Sequence, residues 1–188
     1  MIQTLAATDR GRVLLAIARE SLTESFGLAA AAAPAEPWLD EPGATFVTLR
    51  RDGLLRGCVG TLRAYRPLRE DVRANARAAA FSDTRFPPLT RDELAEVSLE
   101  ISLLSTPEPV SVASEAEAVA VLRPGIDGVI LEYRDAPQHR ATFLPQVWEQ
   151  LPDPREFLAH LKHKAGLSPT FWHPELRLWR YTVTKWEE

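Results

Sequence analysis

The only cysteine of the chain lies in a seven-residue segment, Leu55-Arg56-Gly57-Cys58-Val59-Gly60-Thr61, whose composition suits chemistry. Glycines close to the thiol on both sides allow a ligand or another backbone to approach it. Arg56 adds a fixed positive charge, which favours the thiolate, the reactive form of cysteine, whereas burial among apolar groups opposes it. Cys58 is therefore the candidate catalytic group, and the alternatives are a metal ligand, a redox switch and a packed core residue.

A second group of candidate residues, Asp83 and Arg85, precedes Pro87-Pro88. Two prolines stiffen a loop, and a loop held in place suits specific polar contacts. We expect Asp83 to orient Arg85, and Arg56 and Arg85 to hold a carboxylate or phosphate near Cys58. A salt bridge that only tethers the loop is the alternative.

The net charge of -4 is distributed unevenly along the sequence. The stretch from Arg50 to Arg91 has ten arginines and four acidic residues, so it carries +6 and the rest of the chain -10. A local basic surface on an acidic protein suits a small anion better than long nucleic acid, which needs a wider positive face. Arg69, Arg73 and Arg77 form a basic stripe, which is either a solvated helix face or a weaker candidate for nucleic-acid binding.

The sequence predicts no metal site and no nucleotide cofactor. One cysteine and four scattered histidines lack the paired ligand spacing of a structural zinc site. No glycine loop of the Walker or Rossmann type is present. The candidate bases for Cys58 are His139, His160, His163 and His173, and no motif selects among them.

Composition predicts a globular protein of the cytoplasm. The 188 residues are 45% hydrophobic and 26% charged, which are ordinary values for a folded domain. No apolar run approaches the roughly 18 residues that span a membrane, and the N-terminus lacks the order of a signal peptide. A single cysteine cannot form an internal disulfide, which favours a reducing compartment.

The first half of the chain predicts a helix, a hairpin, a second helix and a strand. Thr8 or Asp9 caps the first helix, which ends at Gly27. Strands from Phe46 to Arg51 and from Leu54 to Leu62 pair around Asp52-Gly53. A two-residue turn places Val47 opposite Cys58, so that Cys58 shares a face with Val47 and Arg56. Pro67 opens the second helix, Thr90 and Glu93 form a capping box, and a strand runs from Val97 to Leu103.

The second half repeats this order. Ser114 and Glu117 form another capping box, and a hairpin follows with arms near 129–133 and 140–144. Asp153-Pro154 starts a helix that ends at Gly166, and the chain closes on a strand from Leu176 to Trp186. Hairpin, helix and strand thus occur twice, over residues 45–104 and 129–186, which indicates an internal duplication. We predict an α+β fold with a largely antiparallel sheet and flanking helices, forming a single domain over 1–188 with lobes of roughly 1–110 and 111–188.

Five motifs in order resemble the AmmeMemoRadiSam system protein A family, also known as the relatives of the Alport syndrome, midface hypoplasia and elliptocytosis chromosomal-region gene product. They are the segment around Cys58, Ala79-Ala80-Phe81-Ser82-Asp83-Thr84-Arg85-Phe86-Pro87-Pro88, Val97 to Ser105, Thr142-Phe143-Leu144-Pro145-Gln146-Val147, and Lys164-Ala165-Gly166-Leu167. The resemblance spans nearly the whole chain, and five ordered motifs are far more specific than any one alone.

The resemblance implies a single α+β domain with two lobes, in bacteria often encoded beside a Memo-like protein and a radical S-adenosylmethionine protein. The family's biochemical activity is not established. The matching positions are Arg56, Gly57, Cys58, Gly60, Thr61, Asp83, Arg85 and Lys164. The sequence departs from the family at Ala141, where a glycine often precedes the threonine of the second hairpin.

Two functions of different classes follow. In the first, the chain is a thiol-dependent enzyme or enzyme component that binds a small anionic metabolite near Cys58, with Gly57 and Gly60 admitting the ligand. In the second, it is a non-catalytic interaction module for a Memo-like or radical S-adenosylmethionine protein. The sequence does not decide whether the chain is an enzyme.

Overall fold

A computed structural model describes residues 9–188. Thr8, the alternative cap of the first helix, lies outside the described residues, and the helix begins at Asp9. The helices are α1 (Asp9–Ser25), α2 (Leu68–Phe81), α3 (Glu115–Val121) and α4 (Pro154–Lys164). The strands are β1 (Thr45–Arg51), β2 (Leu54–Gly60), β3 (Val97–Leu104), β4 (Glu108–Val110), β5 (Gly128–Tyr133), β6 (Arg140–Phe143), β7 (Leu176–Tyr181) and β8 (Val183–Glu187). Short 3-10 helices cover Pro37–Leu39, Asp92–Ala95 and Pro145–Glu149.

The strands form two four-stranded sheets, with the orders β2-β1-β3-β8 and β4-β7-β5-β6. Pairing is antiparallel between β1 and β2, β1 and β3, β4 and β7, β5 and β6, and β5 and β7. The predicted α+β class with antiparallel sheets is confirmed. The chain divides into a first unit, the described residues up to Leu104 with Thr184–Glu188, and a second unit, Ser105–Val183. These units differ from the expected lobes mainly in the return of the last five residues to the first unit, and the single domain stays a prediction.

The first unit has a core in which α1 and α2 pack on one face of its sheet. Leu14, Ile17 and Leu22 of α1 recur at helical spacing and are completely buried. They belong to one cluster with Val47 and Leu49 of β1, which are also completely buried. Burying a side chain of this size contributes about 1.5–3 kcal/mol, so these positions fix which face of β1 the helices cover.

The second unit has its own core, in which α4 packs on β6 and shares a buried cluster with residues of β5 and β7. Phe157 of α4 is completely buried, and its ring stacks on Trp148 at a centroid distance of 3.7 Å. Both predicted helix starts in this unit are confirmed. The Ser114 side chain accepts a hydrogen bond from the amide of Glu117 at 3.2 Å, and Asp153 accepts one from the amide of Arg155 at 2.7 Å.

Both units repeat one topology. In each, the first strand of a hairpin is central and pairs with the second hairpin strand and with the strand that follows the helix, giving β2-β1-β3 in one sheet and β6-β5-β7 in the other. The predicted repetition of hairpin, helix and strand is therefore present in strand order as well as in sequence order.

Each sheet has one strand besides these three. In the chain, that strand comes directly after the last of the three repeated strands of the other sheet. β4 comes after β3 yet joins the sheet of β7, and β8 comes after β7 yet joins the sheet of β3. The prediction of one closing strand from Leu176 to Trp186 is therefore wrong, because Thr182 separates two strands of different sheets. Its amide donates to Ser105 Oγ at 3.0 Å, and its carbonyl accepts from the amide of Ser105 at 2.9 Å.

None of the helices within residues 9–188 has both the length and the apolar character needed to cross a membrane.

Candidate functional site

Cys58 is a free, partly exposed thiol on β2, the edge strand of the first sheet. Its Sγ accepts a hydrogen bond from the hydroxyl of Thr48 on the neighbouring strand, with Oγ1 and Sγ 3.3 Å apart. The thiol is thus neither sealed in the apolar core nor without polar contacts.

A β-bulge decides which face of the sheet the thiol occupies. The predicted turn at Asp52-Gly53 is present. Its two positive φ angles, 51° and 75°, are those of a type I′ hairpin. The register then shifts between Leu49 and Arg50, which leaves Arg56 as the extra residue of β2.

The predicted register is therefore wrong beyond the turn. Cys58 pairs with Thr48 rather than Val47, because the extra residue moves every later side chain of β2 to the other face. Gly57 takes the core-facing position opposite Leu49 instead. Without the bulge the thiol would point into the core beside Val47. The prediction that Cys58 shares a face with Val47 is overturned by this single inserted residue.

Asp83 and Arg85 bind the outer backbone edge of β2 at Cys58. The amide of Cys58 donates to Asp83 Oδ2 at 2.9 Å, and Arg85 Nη2 donates to the carbonyl oxygen of Cys58 at 3.3 Å. Arg85 also donates to Asp83 through Nε at 2.9 Å and Nη2 at 2.6 Å. The expected orientation of Arg85 by Asp83 is thus present in the structure.

The electrostatics of this pair are those of a strong ion pair. The hydrogen bonds from the Arg85 side chain hold the pKa of Asp83 well below its usual range, and the backbone amides of Cys58 and Arg85 act in the same direction. Asp83 in turn raises the pKa of Arg85, with a smaller contribution from Cys58. The Asp83 side chain is only 6% exposed, whereas that of Arg85 is 55% exposed. The guanidinium is therefore the part of the pair that solvent and ligands reach.

Arg56 forms a separate ion pair with Glu93. Its Nε and Nη2 donate to the two carboxylate oxygens at 2.9 and 3.0 Å, and its side chain is 11% exposed. Glu93 also accepts from the amide of Thr90 at 2.9 Å, which is half of the predicted capping box. The hydrogen bond from Arg56, followed by that from Thr90, lowers the pKa of Glu93 to about 2. That Arg56 binds a ligand stays a prediction, and its position in the structure is in a nearly buried ion pair.

At the two glycines near the thiol, the space that a side chain would fill is taken by other atoms of the first unit. A Cβ on Gly57 would overlap the carbonyl oxygen of Ala79 in α2, and a Cβ on Gly60 would overlap the ring of Phe46. Close packing therefore explains why both positions lack a side chain. That they also admit a ligand stays a prediction.

Thr61 belongs to a buried network around Asp71. Its hydroxyl donates to Asp71 Oδ1 at 2.6 Å, and Arg66 Nε donates to the same oxygen at 2.9 Å. Asp71 Oδ2 accepts from the amide and hydroxyl of Thr45 and from Asn75. A completely buried carboxylate needs such donors, so the contacts of Thr61 are structural. That Thr61 also binds a ligand stays a prediction.

Thr48 is the residue that the sequence interpretation missed. It pairs with Cys58 on one side and with Glu100 of β3 on the other, so the three side chains form a row across the sheet. Glu100 is 7% exposed, and Lys185 of β8 lies 3.0 Å from its Oε1. Only the bulged register brings this row together, and a bulge leaves no strong signal in one sequence.

All four histidines fall in the second unit, so the unit that contains Cys58 supplies no imidazole base of its own. His139 Nδ1 is 2.8 Å from the carbonyl oxygen of Ala165. Lys164, another residue of the family motifs, donates to the carbonyl oxygen of Thr142 at 3.0 Å. Within residues 9–188 no cluster of histidine, cysteine, aspartate and glutamate has the arrangement to hold a metal ion.

Known proteins are similar to this chain in sequence and in fold. The chain is 37% identical over 186 residues to a protein of Methanothermobacter thermautotrophicus, covering 96% of this chain and 95% of the relative. It is 39% identical over 169 residues to a protein of Saccharolobus islandicus, covering 86% of this chain and 74% of the relative.

A solved structure, that of the uncharacterized protein PH0010 from Pyrococcus horikoshii, has a TM-score of 0.79 and 30% identity, covering 97% of this chain and 93% of that one. The AMMECR1 family model matches residues 15–186, a range that contains the motifs around Cys58, Asp83 and Lys164. The resemblance found in those motifs is confirmed, and the chain belongs to the AMMECR1 family.

Proposed function

We propose that the chain binds a small anionic metabolite beside Cys58 and that the Cys58 thiol takes part in its chemistry. The observation that carries the proposal is the position of Arg85. Its guanidinium is bonded to the backbone of Cys58 and to Asp83, yet more than half of the side chain is exposed. A fixed, accessible positive charge next to a reactive group is what recognition of a carboxylate or phosphate requires.

Three structural features support a role for the thiol itself. Thr48 donates to Sγ, Arg85 places a positive charge nearby, and the bulge directs the side chain away from the core. Donors and cations stabilise a thiolate, which is the nucleophilic form of cysteine. We propose that these contacts activate the thiol.

The proposal assigns Arg85 as the anion ligand in place of the pair Arg56 and Arg85. Arg56 gives both arms of its guanidinium to Glu93 and is nearly buried, so an anion would have to displace a bidentate carboxylate. A free thiol also needs a reducing compartment, for which we propose the cytoplasm.

Competition between anions and a thiol reagent tests the proposal. The rate of alkylation of Cys58 by iodoacetamide is measured in the full chain with and without phosphate or malonate, for the unsubstituted protein and for Arg85→Gln. Loss of the Arg85 charge should lower the labelling rate, by roughly fivefold if its attraction for the thiolate is about 1 kcal/mol. The anions should slow labelling only when Arg85 is present.

Arg91→Gln is the matched control, because Arg91 is an exposed arginine of the same unit. It should label at the unsubstituted rate and keep its protection by anions. Equal labelling of all three proteins, with no anion effect, would remove the proposal.

A second function is favoured by exposed apolar side chains at the hairpin. Leu54 is 73% exposed and Leu55 38% exposed, and Tyr65 of the same unit is 67% exposed. Exposed apolar groups of this size are typical of protein contacts. We propose as the alternative that this hairpin docks a Memo-like or radical S-adenosylmethionine protein.

Capture of the purified partner separates the two functions. Leu54→Glu should abolish capture while Cys58→Ser leaves it intact. Capture that is unaffected by Leu54→Glu and by Leu55→Glu would exclude the hairpin as the contact.

A further inference from the structure

A cavity lined by polar side chains lies in the second unit, and none of the candidate residues around Cys58 lines it. It has a volume of about 380 Å³ and is lined by Ser105, Thr106, Glu108, Arg123, Arg180, Tyr181 and Thr182. All of these residues belong to the second unit. The volume falls within the roughly 300–1,000 Å³ of sites that hold small molecules.

Arg123, which lines this cavity, is held in place by Asp127. Its Nε and Nη2 donate to Asp127 Oδ1 at 3.0 and 2.6 Å, and its own amide donates to Asp127 Oδ2 at 2.9 Å. Asp127 is completely buried, and its carbonyl accepts a hydrogen bond from Trp148 Nε1 at 2.6 Å. The Arg123 side chain is nevertheless 48% exposed. A buried carboxylate thus orients an accessible guanidinium, which reduces the ordering cost of binding.

Arg180 also lines the cavity, and its ion pair is a loose one. It pairs with Glu108 across β7 and β4, but Arg180 Nε and Glu108 Oε2 are 3.8 Å apart, beyond hydrogen-bond distance. Glu108 is the carboxylate that lines the cavity, and its side chain is 72% exposed. An entering anion would therefore compete with a weakly bound group that is already mostly in water.

Hydroxyl side chains complete the lining. Ser105, Thr106 and Thr182 lie where β3 leads to β4 and where β7 leads to β8. The mutual hydrogen bonds of Ser105 and Thr182 hold these two segments together. Two guanidinium groups with neighbouring hydroxyls are the usual ligands of a carboxylate or phosphate.

We propose that this cavity binds the carboxylate or phosphate group of a small metabolite between Arg123 and Arg180. Arg123 is the prepositioned donor, and Arg180 exchanges its loose contact with Glu108 for the ligand. The site is separate from Cys58 in sequence and in unit, so it stands or falls independently of the thiol proposal.

Calorimetric titration of the full chain with pyrophosphate and, separately, with malonate at constant ionic strength tests the site. Arg180→Gln should weaken binding by about tenfold or more, because it removes charge-assisted hydrogen bonds. Glu108→Gln should strengthen binding, because it removes the competing carboxylate. Binding of pyrophosphate alone identifies a phosphate ligand, and binding of malonate alone identifies a carboxylate ligand.

Arg177→Gln is the control, because Arg177 lies on the same strand, contacts Glu175 and does not line the cavity. It should bind with the unsubstituted affinity. The proposal is overturned if neither anion binds at millimolar concentration, or if Arg180→Gln and Arg177→Gln bind equally while Glu108→Gln has no effect.

Discussion

The carboxylate of Asp83 accepts a hydrogen bond from the backbone amide of Cys58 at 2.9 Å. β2 is an edge strand, and an edge presents amide and carbonyl groups that have no neighbouring strand. At Cys58 a carboxylate takes the amide and a guanidinium, that of Arg85, takes the carbonyl. The loop therefore closes the edge at the thiol with side chains where a further strand would use its backbone.

Removal of this carboxylate should expose the edge. In Asp83→Ala the Cys58 amide loses its acceptor and Arg85 loses its partner, so we expect the free energy of unfolding to fall by about 1.5–3 kcal/mol. The amide of Cys58 should also exchange with solvent faster. Urea denaturation and amide hydrogen exchange measure the two effects.

Asp92→Ala provides the comparison, since Asp92 is exposed in the same unit. It should change neither quantity measurably. An unchanged exchange rate at Cys58 in Asp83→Ala would show that the edge is closed by other means.

The hydroxyl of Thr48 should control the reactivity of the thiol. Thr48→Val keeps the shape of the side chain but removes the donor to Sγ, which is worth about 0.5–1.5 kcal/mol to the thiolate, or about two- to tenfold in alkylation rate. Iodoacetamide labelling at neutral pH measures the rate. Ser98→Ala, at an exposed position of β3, should label normally, and normal labelling of Thr48→Val would mean that the contact has no chemical role.

The Arg56–Glu93 pair should make stability depend on acid pH. The pair lowers the pKa of Glu93 from 4.5 to about 2 in the folded protein. A carboxyl with a lowered folded-state pKa contributes stability that is complete above its unfolded pKa and is lost as pH falls through the folded one. Glu93→Gln should therefore cost about 1–3 kcal/mol near neutral pH, and this cost should shrink between the two pKa values.

Urea denaturation at several pH values between these two pKa values measures the difference in free energy of unfolding between Glu93→Gln and the unsubstituted protein. Glu96→Gln is the matched control, because Glu96 is 52% exposed in its contact with Arg51. It should have a small effect at every pH. A difference for Glu93→Gln that stays constant down to about pH 2 would contradict the assignment of the acid-labile contribution to this carboxyl.

A methyl group at Gly57 should be poorly tolerated. In Gly57→Ala the new Cβ would overlap the backbone oxygen of Ala79, which cannot rotate away as a side chain would. Overpacking of this kind costs about 1–3 kcal/mol, and occasionally more. Thermal and urea denaturation measure the loss.

Gly27→Ala separates crowding from backbone strain. Gly27 has a φ of 67° but no atom within 4 Å of the position of a Cβ, so only strain is expected there. An equal loss in the two variants would mean that crowding against α2 does not explain Gly57.

The sequence predicted the local features of the site but not the long-range ones. Asp52-Gly53 identifies the hairpin because only residues that tolerate positive φ fit its turn. The capping contact of Thr90 and Glu93 is likewise local. The bulge at Arg56 is an interruption of strand pairing, and the Arg56–Glu93 pair joins residues far apart in the chain. Neither has a signature in one sequence.

The interruption of the predicted closing strand at Thr182 also has no signal in the local sequence. Leu176 to Trp186 reads as one strand because Thr182 is a β-branched residue that suits a strand interior. The interruption comes from the contacts of Thr182 with Ser105, which are tertiary. Local preference therefore places the strand correctly and misses the change of sheet.

The crossing of β8 to the sheet of β3 has a consequence for biosynthesis. Trp186 is 4% exposed within the core of the first unit, its indole fills the space beside Gly11, and the Glu188 side chain accepts from the amide of Leu99 at 3.0 Å. In a chain emerging from the ribosome, these contacts can form only after residues 105–183 have been synthesised. The N-terminal segment that carries the thiol therefore cannot complete its tertiary structure until the second unit has been synthesised.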